Sequence, residues 1–171
     1  MAASPLYELR LPARELLREP GTRREVRAEV DAAALGIDDP RIAGAVDVGL
    51  DAVSSIDGIS VTGTVRVPWT AACRRCLTAV SGVATIDVDE EYQDAVGPDD
   101  DAFEIDGDQI DLAVPVREYV LLELPTDPLC RDDCAGICPQ CGADRNETSC
   151  DCDTTVRDER WAALDDLRLD E

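Results

Sequence analysis

The chain has no histidine and no lysine, a single methionine and few aromatics (4%). Without histidine the commonest general base is missing, which excludes Ser-His-Asp and Cys-His catalysis. Any zinc must then be held by cysteine, helped at most by a carboxylate. With aromatics scarce, Val, Leu, Ile and Ala must fill the core, and a hydrophobic fraction of 44% in 171 residues suffices for an ordinary one. No stretch approaches the ~18 consecutive apolar residues that span a bilayer. The opening Met1-Ala2-Ala3-Ser4-Pro5 has neither the basic nor the apolar segment of a secretory signal. A cytoplasmic protein with no membrane partner is expected. All sixteen basic residues are arginine, against 38 acidic ones, for a formal net charge of −22.

What the chain does have is cysteine, in groups. Cys73 and Cys76 form one CxxC, and Cys130, Cys134, Cys138, Cys141, Cys150 and Cys152 fall within twenty-three residues. Thiolates at such spacings converge on a soft cation, and a tetrahedral zinc held by four sulfurs is the usual outcome. Four disulfides are the alternative. A reducing cytoplasm and the adjacency of Cys150 and Cys152 weigh against them. Cys138-Pro139-Gln140-Cys141-Gly142 reads as a zinc knuckle: proline stiffens the turn, and glycine supplies the φ > 0 position after the second cysteine. Cys150 and Cys152 can close that site locally. Cys73 and Cys76 are left to pair with Cys130 and Cys134 across a long loop. Two zinc sites of four cysteines are the simplest partition, and one site with surplus cysteines is the competing one. A redox CxxC at Cys73 and Cys76 would gain from Arg74 and Arg75, which lower a thiol pKa, but its predicted hairpin setting is not the strand-to-helix turn of a thioredoxin-like site. Two filled four-thiolate sites would carry the molecule to about −26. Arg74, Arg75 and Arg131 sit inside the cysteine motifs, placed either to offset that charge or to contact RNA.

Apolar alternation predicts strands at Tyr7–Leu11, at Val26–Val30, from Val46, over Ile59–Val67, and from Thr78 to Val88. Ala13–Arg18 suits a short helix, and Asp57-Gly58 a hairpin turn. The first CxxC falls at the tip of a hairpin, between a strand ending near Trp69 and one beginning near Thr78. From Asp87 to Asp111 there are twelve carboxylates and no basic residue. This run predicts a solvated acidic loop around residues 93–109, since its acids lack the spacing of an EF-hand. Asp111 then suits a helix N-cap, with Leu112, Val116, Val120 and Leu124 recurring every four residues and Pro125 and Pro128 ending the helix. A terminal helix is predicted over Arg160–Leu169, with Trp161, Leu164 and Leu167 on one face. Asn146-Glu147-Thr148 matches a glycosylation sequon, without consequence in a cytoplasmic chain. The expected fold is α+β: an antiparallel sheet with one central helix over residues 1–129, then a cysteine-rich zinc-knuckle module over residues 130–171.

Cys73-Arg74-Arg75-Cys76-Leu77 resembles the central motif of the YceD family, the large ribosomal RNA subunit accumulation proteins. The likeness continues through Ile110-Asp111-Leu112, Leu122-Glu123-Leu124-Pro125, and Pro128-Leu129-Cys130-Arg131-Asp132-Asp133-Cys134. Further matches are Gly136-Ile137-Cys138-Pro139-Gln140-Cys141-Gly142, Cys150-Asp151-Cys152 and Arg160-Trp161-Ala162-Ala163-Leu164. The resemblance implies a non-enzymatic, metal-binding role in synthesis, processing or stability of large-subunit ribosomal RNA. Relatives often end in a basic Leu-Lys-Lys-Leu where this chain has Leu164-Asp165-Asp166-Leu167, which speaks against a terminal helix that grips phosphate. Nucleic-acid affinity comes largely from cations neutralising phosphates, and this chain is anionic. Two partners therefore stand: ribosomal RNA held by a local arginine patch, or a basic ribosomal protein that the carboxylates shield or steer. No small-molecule substrate is implied.

Overall fold

The structure, a computed structural model, describes residues 5–97 and 101–153, together with residues 160 and 162. The chain divides into two compact units, one of Met1–Ala71 with Ala79–Thr126 and the other of Ala72–Thr78 with Asp127–Glu171. The architecture is α+β in character.

The first unit is built on a five-stranded sheet: β2 (Arg23–Val30), β3 (Val46–Ser54), β4 (Ile59–Ala72), β5 (Ala79–Gln93) and β6 (Phe103–Glu104), in that order across the sheet. β2, β3 and β4 pair antiparallel, whereas β6 joins β5 in parallel. A second, two-stranded sheet pairs β1 (Arg10–Pro12) with β7 (Gln109–Asp111). Three helices occur among the described residues: one-turn α1 (Pro5–Glu8) and α2 (Ala13–Leu16), and eleven-residue α3 (Ala113–Glu123).

Period-two alternation sends Val26, Ala28, Val30, Val46, Val48, Leu50, Val61, Val65 and Val67 to one buried face. α3 packs on β5 and adds Val116 and Val120 to this core, with Leu112 and Leu124 at its two ends. Ser55 to Gly58 close the β3–β4 turn, the Ser55 N–H donating to the Gly58 carbonyl at 2.7 Å. β4 outruns β3 and reaches Ala72, because residues 41–43 partner its far half: Ala43 N–H donates to Pro68 O and Thr70 N–H to Arg41 O.

Three expectations need correction. The predicted first strand is shorter: Tyr7 lies in α1 and is exposed, and only Arg10–Pro12 is extended, with Leu9 and Leu11 buried. The predicted acidic loop is part strand. β5 continues to Gln93, β6 occupies Phe103–Glu104, and Ile105 is buried. β5 outruns its predicted end at Val88 because the alternation continues beneath the charge. Ile86, Val88 and Tyr92 turn inward while Asp87, Asp89 and Glu91 face out. Glu90 turns inward too, but only half-buried, and accepts a 2.6 Å hydrogen bond from the Tyr119 hydroxyl of α3. The Tyr92 hydroxyl donates to Asp111 O, and its ring stacks on Phe103 at 5.4 Å between centroids. Finally, Asp111 lies one residue before the N-cap of α3, which is Leu112; its carboxylate accepts from Ala113 N–H at 2.9 Å. Trp161, Leu164 and Leu167 of the predicted terminal helix lie outside the described residues.

Candidate metal centres

The eight cysteines are all free thiols and gather into two groups of four within the second unit. Cys73, Cys76, Cys130 and Cys134 form one group, and Cys138, Cys141, Cys150 and Cys152 the other. In each group the sulfurs lie within 4.8 Å of one another. Four sulfurs at about 2.3 Å from a tetrahedral cation lie about 3.8 Å apart. Cys76 Sγ and Cys130 Sγ are separated by 3.6 Å, and Cys73 Sγ and Cys134 Sγ by 3.9 Å. Those separations are far longer than an S–S bond of about 2.05 Å. Both groups could hold a metal ion, and the all-sulfur donor set suits a soft one.

Each group is seeded by the same turn. Cys73 N–H donates to Thr78 O at 2.7 Å, and Leu77 N–H to Cys73 O at 2.9 Å. Sixty-five positions later Cys138 N–H donates to Ala143 O at 2.8 Å, and Gly142 N–H to Cys138 O at 2.9 Å. The residue after the second cysteine is left-handed in both turns, Leu77 at φ 63° and Gly142 at φ 73°. Glycine occupies that position freely; leucine does so under strain. The side chain of Leu77 is nonetheless largely exposed.

The turn aims backbone N–H groups at its first sulfur. N–H donation from Cys76, with help from Cys130 and Arg75, lowers the Cys73 thiol to about 6 despite burial. Cys141 and Gln140 do the same for Cys138, also to about 6. Sulfurs crowded beside these thiolates go the other way. Cys134 and Cys76 push Cys130 up to about 12, and Cys141 pushes Cys152 up to about 12. Four adjacent thiols cannot all ionise unaided, and a cation among them removes that conflict. Burial opposes ionisation of Cys134, but the Asn146 amide and the Gly136 N–H outweigh it and lower its pKa.

The three arginines of the motifs donate to oxygen acceptors. Arg74 pairs with Asp127 at 2.8 Å, and Arg75 donates to the carbonyls of Asp132 and Cys134. Arg131 pairs with Asp133 and donates to Asn146 Oδ1. Asn146, which the sequence marked only as part of a glycosylation sequon, is the partner that the cysteine pattern did not point to. Its Nδ2 donates to Cys134 Sγ at 3.4 Å. Cysteine spacing carries no signal for such a partner; a lone amide between the second and third cysteines of a cluster is the only hint.

The family described as "Large ribosomal RNA subunit accumulation protein YceD" matches residues 61–168, a span that takes in all eight cysteines. The chain belongs to the YceD family. Among its YceD-type relatives is the chloroplastic large ribosomal RNA subunit accumulation protein YCED homolog 1 of Arabidopsis thaliana, 35% identical over 60 residues, covering 35% of this chain and 19% of that one. An uncharacterized protein of Mycobacterium tuberculosis is 38% identical over 103 residues, 57% of this chain and 50% of its own length. One from Mycobacterium leprae is 35% identical over 109 residues, 57% of this chain and 46% of its own. The chain spans about half the length of these mycobacterial relatives. No solved structure matches it. Among the described residues, no helix is long and apolar enough to cross a membrane.

Proposed function

We propose that this chain is a non-enzymatic ribosome biogenesis factor that supports synthesis, processing or stability of large-subunit ribosomal RNA in the cytoplasm. Two structural zinc ions hold its cysteine-rich unit together. The match to a family named for ribosomal RNA accumulation carries the functional part of this proposal. The two four-sulfur groups support the zinc part. Cys73, Cys76, Cys130 and Cys134 would hold one ion, and Cys138, Cys141, Cys150 and Cys152 the other. Four sulfurs leave no coordination position for water, so such a metal shapes the chain and does not activate a nucleophile. A loop-rich segment with little apolar core gains most from it, because metal binding then supplies folding free energy.

The partner can be RNA itself or a basic ribosomal protein. The outward row of Asp87, Asp89 and Glu91 on β5, and the engagement of Arg74 and Arg131 by carboxylates, favour the basic protein as a second reading. The two differ in binding experiments. Salt-dependent binding of the zinc-loaded chain to large-subunit RNA fragments is expected if RNA is the partner. Capture of a basic ribosomal protein with no RNA binding would overturn the RNA reading. A failure to bind either, with normal ribosomal RNA levels in cells lacking the gene, would overturn the biogenesis role.

A further inference from the structure

Asn146 lies between Cys141 and Cys150, so the chain places it in the loop of the second group, yet it reaches a sulfur of the first. Its orientation is fixed by neighbours of unambiguous polarity. Oδ1 accepts from Ala135 N–H at 2.8 Å and from Arg131 Nη2 at 2.8 Å, both of which can only donate. Nδ2 faces Asp144 Oδ1 at 2.7 Å, which accepts, and Cys134 Sγ at 3.4 Å. The loop around it is held as firmly. Asp144 Oδ1 also takes Asn146 N–H at 2.8 Å, and Glu147 and Thr148 N–H groups donate to Asp144 O.

Two backbone links run alongside. Arg145 N–H donates to Gly136 O at 2.9 Å, and Ile137 N–H, just before Cys138, donates to Arg75 O at 3.0 Å inside the first turn. The approach at Gly136 is close enough that an added Cβ would lie 2.9 Å from Arg75 O. The segment that carries the second group's ligands is thereby fastened to the first group at a ligand, at a turn and at the glycine between them.

We propose that Asn146 is a positioning residue that couples the two metal sites, so that filling either raises the affinity of the other. This rests on both groups binding zinc. Closing Cys138, Cys141, Cys150 and Cys152 on one ion fixes the intervening loop. The fixed loop presents the Asn146 N–H to the Cys134 thiolate, stabilising its charge and aiming it at the other ion. Partners outside the ligand set commonly contribute 10- to 100-fold in metal affinity. By linkage the effect is reciprocal. The chain then loads both ions together and, when a chelator or oxidant strips one, releases the second more readily.

The test is zinc competition against a chromogenic chelator on the full chain, with far-UV circular dichroism to check that the sheet is intact. Cys150→Ser with Cys152→Ser removes the second site, and the first site's zinc affinity should fall at least tenfold. Asn146→Asp keeps the acceptor used by Arg131 and Ala135 but removes the donor to sulfur, and it too should weaken the first site at least tenfold. Adding Asp144→Asn relieves the carboxylate pair that Asn146→Asp creates. A purely structural role for the loop predicts recovery in that double variant, whereas donation to Cys134 predicts none. If the serine variant fails to fold, the Asn146 variants decide. First-site affinity within twofold of wild type in the variants, or recovery in the double variant, overturns the coupling while leaving two zinc sites standing. A wild-type chain that binds no zinc overturns the underlying proposal as well.

Discussion

Replacing Gly142 with alanine isolates what the left-handed turn position contributes to the second metal group. Gly142 has φ 73°, and an added Cβ would meet nothing within 4 Å, so the cost is conformational and not steric. Holding an L-residue in that region costs about 1–2 kcal/mol. The stiffer unfolded chain returns about 0.4–1 kcal/mol, leaving about 1 kcal/mol of net destabilisation. Where metal binding and local folding are one equilibrium, that is about a fivefold loss of zinc affinity at this site. The first turn offers the mirror experiment. Leu77 holds φ 63° with its side chain 64% exposed, so Leu77→Gly relieves strain and forfeits little burial. Glycine's own unfolded-state entropy takes back about 0.5–1 kcal/mol, and zinc binding should tighten by a few-fold or less. Chelator competition on both variants reads the two effects. Equal or tighter zinc binding by Gly142→Ala would refute the strain argument, and weaker binding by Leu77→Gly would show that the leucine side chain contributes something its exposure conceals.

Other predictions concern the first unit. Leu112→Ala empties a fully buried position at the start of α3 and should cost about 2–5 kcal/mol, read from the urea midpoint. A methyl group on Gly63 would run into the Gly49 carbonyl oxygen across the β3–β4 pair. Gly63→Ala should therefore cost about 1–3 kcal/mol or more, and a variant as stable as wild type would contradict the strand register. The hydrogen bond to Glu90 holds the Tyr119 hydroxyl above its usual 10.0, at about 12. The folded state then binds that proton more tightly than the unfolded state does. Its contribution is complete below about pH 10 and is lost as pH rises toward 12. Tyr119→Phe should lower stability near about pH 8, and the gap to wild type should close in strong alkali; a gap independent of pH would contradict this linkage.

Much of the sheet was legible because its burial obeys a period of two: Val26 to Val30, Val46 to Leu50 and Ile59 to Val67 lie where alternation puts them. The four-residue recurrence of Leu112, Val116, Val120 and Leu124 located α3 in the same way. The acidic run was harder, because charge density masked Tyr92, which carries the alternation of Ile86 and Val88 past the predicted strand end. At the N-terminus, Tyr7 shared the parity of Leu9 and Leu11 without sharing their burial. Cysteine spacing anticipated the two groups that the fold assembles, since the turn at Cys138 and Cys141 and the nearby Cys150 and Cys152 can close on one another locally and leave the other four to pair. It could not reveal that the two turns repeat one hydrogen-bond pattern, nor that Asn146 reaches Cys134. Those depend on which backbone and amide groups the fold brings beside each sulfur.

The central claim is two four-cysteine zinc sites, and metal content tests it most directly. Protein purified without chelators should contain two zinc ions per chain by elemental analysis, and all eight cysteines should resist alkylation until the metal is removed. One zinc per chain would contradict the partition into two sites. None, with freely reactive thiols in a folded chain, would contradict a structural role for metal altogether.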